Sequence, residues 1–364
     1  MRETHVEAFA PVCPLCRARD GSLHRLAVGS VARRDGTDIA EGSLVCAHAP
    51  CACEYPILDG APIIVPDVRR FVSDNFAALT ARDDLSDLAE SMLADCAGPG
   101  TAYTLSRRYL SIYARDHYAD LDPDEAPDEP APPGAALRTL RAGLGLLGPA
   151  PLPPTPSLDV GCATGRATFE LASSRPGLVL GVDVNVALLR LARRVLSRGE
   201  VSYPRRDVGI VHQRRTFRAD FPGADRVDFW VCDAAALPLA DASCGLVTAL
   251  NVVDATPSPL GVLRELARVG APGAGLVLST PYDWEGVVTP VEAWIGGHSQ
   301  RAVHAGRSEP LLRQLLTPGA HPASIQGVRI VGEIDRFPWR LRIHDRSVAA
   351  YDAHVIAARL GEPR

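Results

Sequence analysis

Three sets of residues in this sequence have the types and spacing to do chemistry. The first is a set of thiols: Cys13-Pro-Leu-Cys16 and, about 30 residues on, Cys46-Ala-His-Ala-Pro-Cys51-Ala-Cys53. Short-spaced cysteines put two thiolates on one turn, and two such turns supply the four soft ligands that tetrahedral zinc takes at about 2.3 Å. The expected ligands are Cys13, Cys16, Cys46 and Cys51. The wide second spacing leaves Cys53 or His48 open in place of Cys51. Four protein ligands leave no open coordination position, so such a zinc is structural. The competing reading is a ribbon that has lost its metal and persists as a folded knob.

The second set is a glycine turn followed by a series of acids. Leu158-Asp159-Val160 runs into Gly161-Cys162-Ala163-Thr164-Gly165-Arg166, where glycine lets the backbone turn tightly and a ligand approach without a Cβ in the way. Asp183 ends the next apolar run, 24 residues beyond Asp159, where a carboxylate can accept both hydroxyls of a ribose. Phe229-Trp230-Val231-Cys232-Asp233-Ala234 and Ala249-Leu250-Asn251-Val252-Val253-Asp254 complete the series. Each acid alone reads equally as a strand-end or helix-cap carboxylate. The third set is aromatic and hydroxylic: Ser279-Thr280-Pro281-Tyr282-Asp283-Trp284, then Trp294-Ile295-Gly296-Gly297 and Phe337-Pro338-Trp339. Aromatic faces stack planar rings and exclude water, although Trp284, Trp294 and Trp339 read equally as core.

These groups need elements to hold them. Ser157–Val160, Leu178–Val182, Val227–Val231, Gly245–Leu250 and Leu276–Ser279 are apolar runs of strand length, separated by the helical periodicities of Thr168–Ser173, Val186–Leu196 and Leu260–Val269. That alternation predicts an α/β, doubly wound, mostly parallel sheet covered on both faces, with ligands at the carboxyl ends of its strands. Four segments are expected. They are a Cys-rich module over 1–68, a helical connector or substrate lid over 69–120, an acidic, Pro-rich exposed linker over 121–135, and the α/β domain over 136–364. The connector interleaves Tyr103, Tyr109, Tyr113 and Tyr118 with Arg107, Arg108, Arg115 and His117.

Composition narrows the classes. The 364 residues carry 46% hydrophobic and 22% charged side chains, the balance of a globular protein of about two domains. All 38 basic residues are arginine, and the net charge of −5 argues against a chain built to neutralise nucleic-acid phosphates. A local surface of Arg205, Arg206, Arg214 and Arg215 keeps an RNA partner open. No apolar run reaches the roughly 18 residues of a membrane span, and the N-terminus lacks a signal-peptide apolar region, so a cytoplasmic location is expected. The nine cysteines then read as metal ligands and buried thiols. The sequence carries no signal of oligomeric state.

The ordered series of glycine loop and acids resembles the class I methyltransferase superfamily. The resemblance implies a Rossmann-like, seven-stranded sheet and S-adenosyl-L-methionine as cofactor. Asp159, Gly161 and Gly165 would form the loop under the methionine part, Asp183 would hold the ribose, Asp233 with Ala234 would hold the adenine, and Asn251 would follow on the fourth strand. Ala163 stands where the family usually has glycine. The cysteine segment, with Tyr55-Pro56-Ile57 and Asp59-Gly60-Ala61-Pro62, resembles the small zinc-ribbon protein that activates several tRNA and protein methyltransferases. More narrowly, Asn251 to Asp254, the Tyr282–Trp284 segment, Thr289-Pro290, Trp294 to Gly297 and the long insert around 197–226 resemble the mercaptohistidine N-methyltransferase domain of ovothiol biosynthesis, over about residues 157–360. This implies a small-molecule methyl acceptor, an imidazole or thiohistidine-like amino acid. Its ring would stack on Trp284 or Tyr282, and Asp254 or His298 would accept its proton. An RNA methyltransferase that presents its substrate on the ribbon, and a non-catalytic binding or activator protein, are the competing readings.

Overall fold

The computed structural model describes residues 1–81, 85–125 and 131–361. The chain opens with helices α1 (Glu3–Phe9) and α2 (Pro14–Asp20), followed by strands β1 (Leu26–Asp35), β2 (Asp38–Cys46), β3 (Glu54–Leu58) and β4 (Ala61–Ile64). Helices α3 (Val68–Asp74), α4 (Phe76–Leu79), α5 (Asp87–Ala97), α6 (Ala102–Tyr118) and α7 (Ala135–Leu146) lead to the alternating part. That part runs β5 (Ser157–Val160), α8 (Arg166–Ser174), β6 (Val179–Asp183) and α9 (Val186–Arg198), then a hairpin of β7 (Glu200–Val208) and β8 (Val211–Arg218). It continues with β9 (Val227–Cys232), β10 (Cys244–Leu250), α10 (Pro259–Val269), β11 (Gly270–Thr280), α11 (Ser308–Leu315), β12 (Val328–His344) and β13 (Ser347–Leu360).

Local chemistry sets these bounds. Helix α9 buries Leu188, Leu189, Leu191, Ala192 and Val195, one stripe at helical spacing. Asn185 caps its start by accepting from the Ala187 and Leu188 amides, and Gly199 ends it at φ +60°, where a Cβ would be strained. The strands alternate as a sheet covered on both faces requires. Leu180, Val182, Trp230, Val247, Ala249, Leu276 and Leu278 face α10 and α11, whereas Val179, Phe229, Val231, Leu246 and Val277 face α7, α8 and α9.

Among the described residues, eleven strands form one sheet, in the order β1-β2-β3-β4-β9-β6-β5-β10-β11-β13-β12, which corrects the expectation of seven. The seven from β9 to β12 belong to the alternating part. The other four come from the N-terminal segment, because β4 adds in parallel to the free edge of β9 through Ile63↔Val231 and Ile64↔Cys232. The strands β4, β9, β6, β5, β10 and β11 are mutually parallel, and the two ends of the sheet are antiparallel. Joining the sheet covers an edge that would otherwise offer unpaired backbone groups. The module also shares its core with the larger part: Cys13, Cys16 and Cys46 pack in the same buried cluster as Trp230 and Cys232.

Polar ties reinforce this junction. The Val12 amide donates to the Pro238 carbonyl at 2.9 Å. Arg17 Nη1 donates to Glu265 at 2.9 Å, and Glu265 also holds Arg268. Asp228 on β9 is fully buried and accepts from the Arg2 amide at 2.9 Å, from Trp230 Nε1 at 3.1 Å and from the Arg193 guanidinium of α9.

The acidic, Pro-rich stretch departs from the exposed loop expected of it. Residues 126–130 lie outside the described residues, but the flanks are packed. Asp122 takes two hydrogen bonds from Arg215 of β8 at 2.7 and 2.8 Å, and the buried Arg115 of α6 pairs with Glu125 at 2.6 Å and donates to the Ala131 carbonyl. Asp122 and Glu125 are thus neutralised by arginines from other elements, whereas Asp124 stays exposed. The β7–β8 hairpin within the 197–226 insert was also not legible as strands. Nor was the long β12–β13 hairpin, whose bulges between Ile330 and Gly332 and between Ile334 and Phe337 break the period-two pattern. Pro338 is tolerated on β12 because that strand is the sheet's edge.

Candidate functional site

The parallel strands β5, β6, β9 and β10 all end on one side of the sheet, and each is followed by one or more of the residues singled out by type. After β5, the turn from Gly161 to Gly165 is left-handed at three positions: Gly161 at φ +69°, Ala163 at +48° and Gly165 at +90°. A Cβ on Gly165 would lie 2.6 Å from the Phe229 ring and 3.1 Å from Ala192, so only glycine allows α8 to start this close to the sheet. On Gly161 it would strike Val252, which follows β10. Ala163 adopts the left-handed angle in spite of its methyl, at a cost on the order of 1 kcal/mol. It is held there by its amide, which donates to Asp183 Oδ2 at 2.9 Å.

The three acids of the series have different surroundings. Asp159 is 2% exposed and accepts from Thr168 Oγ1 and Thr248 Oγ1, both at 2.7 Å, so it lies beneath the loop and ties it to α8 and β10. Burial pushes its carboxyl up to about 6 against these two bonds. Asp183 is half-buried at the end of β6; its Oδ1 accepts from the Asn185 amide at 2.8 Å while Oδ2 takes Ala163. Burial raises its carboxyl and the backbone amides oppose the shift. Asp233 accepts from the Ala235 amide at 2.8 Å and so fixes the turn that presents Ala234. Asp183 and Asp233 are each half-buried, whereas Asp159 is buried.

The groups after β10 and β11 meet. Asn251, at φ +54°, accepts from Ser279 Oγ at 2.7 Å through Oδ1. Asp254 is 5% exposed; its Oδ2 accepts from the Asp283 amide at 2.7 Å, and its buried Oδ1 has no hydrogen-bond partner among the described residues. Burial raises the Asp254 carboxyl, with the Asp283 amide opposing. The Thr280 hydroxyl also favours the ionised form of this carboxylate, whose Oδ1 is costly to leave without a donor. Tyr282 is half-buried, and its hydroxyl is 2.6 Å from His354 Nδ1.

Trp284 is engaged elsewhere. It stacks on Trp294 with centroids 6.1 Å apart, donates to Ser308 Oγ at 3.2 Å and packs against Gly297, so it braces the 281–308 segment. Trp339 is core, paired across the hairpin with Tyr351. His298 and His304 are exposed.

Helix α6, expected as connector or lid, braces the glycine turn from the other side. The Tyr118 hydroxyl donates to the Thr164 carbonyl, and Arg166 donates through its amide to His117 Nδ1 at 3.3 Å and through its guanidinium to Asp120 at 2.9 Å. Burial first, and Arg166 second, push His117 down to about 3, so it is neutral and can accept. One turn earlier, Tyr113 stacks on Tyr109 with centroids 6.4 Å apart and lies within electrostatic reach of both Asp183 and Asp254. The aromatic interleaving of α6 was legible, but its target was not.

The sulfurs of Cys13, Cys16, Cys46 and Cys51 lie within 4.8 Å of one another, with Cys13–Cys51 and Cys16–Cys46 both at 3.9 Å. Tetrahedral bonds of about 2.3 Å set sulfurs about 3.8 Å apart, so this cluster has the size of a zinc site. Cys53 stands outside the group; its carbonyl accepts from the Cys46 amide at 3.0 Å.

Residues 158–278 match the family described as methyltransferase domain. The chain is 27% identical over 150 residues to a 27-O-demethylrifamycin SV methyltransferase of Amycolatopsis mediterranei, covering 41% of this chain and 45% of that one. It is 31% identical over 145 residues to an arsenite methyltransferase of Aquipseudomonas alcaligenes, covering 38% and 36%. It thus spans less than half the length of each of these two relatives. Among solved structures it resembles a SAM-dependent methyltransferase of Methanosarcina mazei at 21% identity and a TM-score of 0.36, over 57% of this chain and 92% of that one.

Proposed function

We propose that this chain, which carries a methyltransferase domain over residues 158–278, uses S-adenosylmethionine to N-methylate a small, flat amino acid of the imidazole or thiohistidine kind. The observation that carries the cofactor part of this reading is the row of acids at the carboxyl ends of adjacent parallel strands, with the glycine turn between them, while the acceptor class follows from the resemblance of the segment from Asn251 to Gly297. In an open α/β sheet that row lines the ligand crevice. Asp183 would take the ribose hydroxyls, Asp233 and Ala234 the adenine, and the turn from Gly161 to Gly165 the methionine part, with Asp159 and Asn251 holding its walls. The residues fit the group: the left-handed turn from Gly161 to Gly165 lies beside Asp183, and Asp183 and Asp233 are only half-buried.

The cofactor supplies a methyl group on a sulfonium, transferred by in-line displacement. The protein aligns the attacking nitrogen, excludes water and takes the proton released as the N–CH3 bond forms and the S–CH3 bond breaks. Asp254 is the proposed proton acceptor, through the unpartnered Oδ1, while the Asp283 amide fixes Oδ2. Tyr282 lines the acceptor side, and Trp284 supports it through Ser308 and Trp294. Three of the four arginines that would serve RNA are paired with carboxylates, Arg215 with Asp122, Arg214 with Glu90, and Arg205 with Glu125 and Asp345, while Arg206 donates to the Gly209 carbonyl at 2.7 Å. That pairing favours the small molecule. The test is radiolabelled S-adenosylmethionine offered in parallel to metabolite extract, total RNA and protein. Label is expected in a small amine-bearing product; label in RNA alone, or in no fraction, contradicts the reading.

The cysteine cluster is proposed to hold one structural zinc through Cys13, Cys16, Cys46 and Cys51. Metal analysis of reduced, folded protein purified without added zinc should give about one zinc per chain, and Cys51→Ser should lower it more than Cys53→Ser. A content near zero, or equal loss in the two variants, contradicts it.

A further inference from the structure

Tyr282 has a backbone that a bulky residue rarely adopts. Its φ is +58°, which costs on the order of 1–2 kcal/mol, and such strain persists only where the surroundings over-determine it. Three bonds do so here. The Tyr282 amide donates to Thr280 Oγ1 at 3.1 Å, the next amide donates to Asp254, and the phenol meets His354 Nδ1 at 2.6 Å. His354 lies on β13, opposite Thr280 in the sheet, and is 1% exposed. Its Nε2 is 3.1 Å from Glu333 Oε2 on β12, and Glu333 Oε2 also accepts from Arg313 Nε of α11 at 2.8 Å. Asp335 of β12 and Glu309 of α11 are the further charged groups facing this chain of contacts.

The chain has a direction. Burial alone would raise the Glu333 carboxyl, but Arg313 and His354 outweigh it and the net shift is downward, so Glu333 is ionised at neutral pH and can only accept. Burial lowers His354, so the ring is neutral and carries one N–H. That proton sits on Nε2, facing Glu333, and Nδ1 is left as an acceptor. The Tyr282 O–H therefore points inward at Nδ1, and the phenolic oxygen has only lone pairs to offer outward.

We infer that His354 and Glu333 are positioning residues that hold Tyr282 as a hydrogen-bond acceptor toward the substrate, so that the molecule methylated must present an N–H or O–H donor there. This rests on the methyltransferase reading above. It works as a histidine held by a carboxylate works on a serine hydroxyl, by fixing which way the proton points. It also sets a sign. Protonated His354 donates from both nitrogens, so the phenol would have to turn its own proton outward and present a donor to a donor. Substrate binding weakens below the ordinary histidine range as a result.

Two measurements on the intact chain test this. Side-chain nitrogen NMR without ligand, assigned with His354→Asn, should show the Nε2–H tautomer at neutral pH and protonation only below pH ~6.5. In rate assays with mercaptohistidine, His354→Phe should raise KM at least about fivefold and leave kcat within about twofold. His354→Asn, whose amide oxygen accepts from the phenol but cannot titrate, should restore the KM and remove its rise at acid pH. An Nδ1–H tautomer overturns the inference and leaves the function standing. So does a KM unchanged in His354→Phe, or, should that variant not fold, an acid rise in KM kept in His354→Asn. No methyl transfer to mercaptohistidine by the wild-type protein contradicts the acceptor class itself, and the inference falls with it.

Discussion

Replacing Arg193 with alanine is expected to cost the fold about 3–5 kcal/mol, because it strips the guanidinium from a carboxylate that has no exposed surface. Asp228 sits on β9 between the N-terminal strands and α9. Burial alone would raise its carboxyl; Arg193 leads the groups that outweigh burial and hold it at about 2. A carboxyl depressed in the folded state contributes stability that is present above its unfolded value near 4 and is lost as pH falls toward 2. Urea unfolding at neutral pH should therefore show the full loss in Arg193→Ala, and the wild-type protein should lose this contribution only below pH about 4. Replacing the pair together, Arg193→Met with Asp228→Leu, should cost much less than Arg193→Ala alone, because no buried charge is stranded. A loss under about 1 kcal/mol in Arg193→Ala would mean that the Arg2 amide and Trp230 suffice to hold Asp228.

Asp254→Asn is expected to lower turnover about 100-fold or more, the usual size of a lost general base, while cofactor affinity stays nearly unchanged. Asparagine keeps the shape and can still accept from the Asp283 amide, so the segment from Tyr282 to Trp284 stays in place. It cannot take a proton. The raised Asp254 carboxyl sets the direction of the pH dependence: kcat falls as pH drops through a value above the ordinary carboxylate range, and this limb vanishes in Asp254→Asn. The His354 effect is separable because it appears in KM. Turnover within about threefold of wild type in Asp254→Asn would remove Asp254 from the chemistry.

What was legible in the sequence had short-range causes. The runs from Ser157 to Val160 and from Val227 to Val231 are buried at every position and apolar except at Ser157, Asp159 and Asp228, because both faces of their strands are covered, and they match β5 and β9 closely. The glycine turn and its acids could be placed because each sits where a strand ends. Spacing alone marked out Cys13, Cys16 and Cys46 but left the fourth place open among Cys51, Cys53 and His48; the structure brings the Cys51 sulfur to the other three and leaves Cys53 aside. Long-range pairing was not readable. Nothing in Ile63 and Ile64 says that they join the edge of β9, some 168 residues away, and so the sheet was expected four strands too narrow. His354 and Glu333 carry no local pattern that ties them to Tyr282, 72 residues from His354. The tyrosines of α6 showed an amphipathic helix, but the turn it braces follows β5 more than 40 residues on.

The central claim is that the crevice at the ends of β5, β6 and β9 binds S-adenosylmethionine, and the most direct measurement is titration calorimetry of the cofactor into the wild-type protein, Asp183→Ala and Asp233→Ala. One site per chain is expected in the wild type, with affinity lowered at least about tenfold in Asp183→Ala, roughly 1.4 kcal/mol, because the strand-end carboxylate that would hold the ribose is gone. Wild-type affinity retained in both variants, or no binding by the wild-type protein, would contradict it.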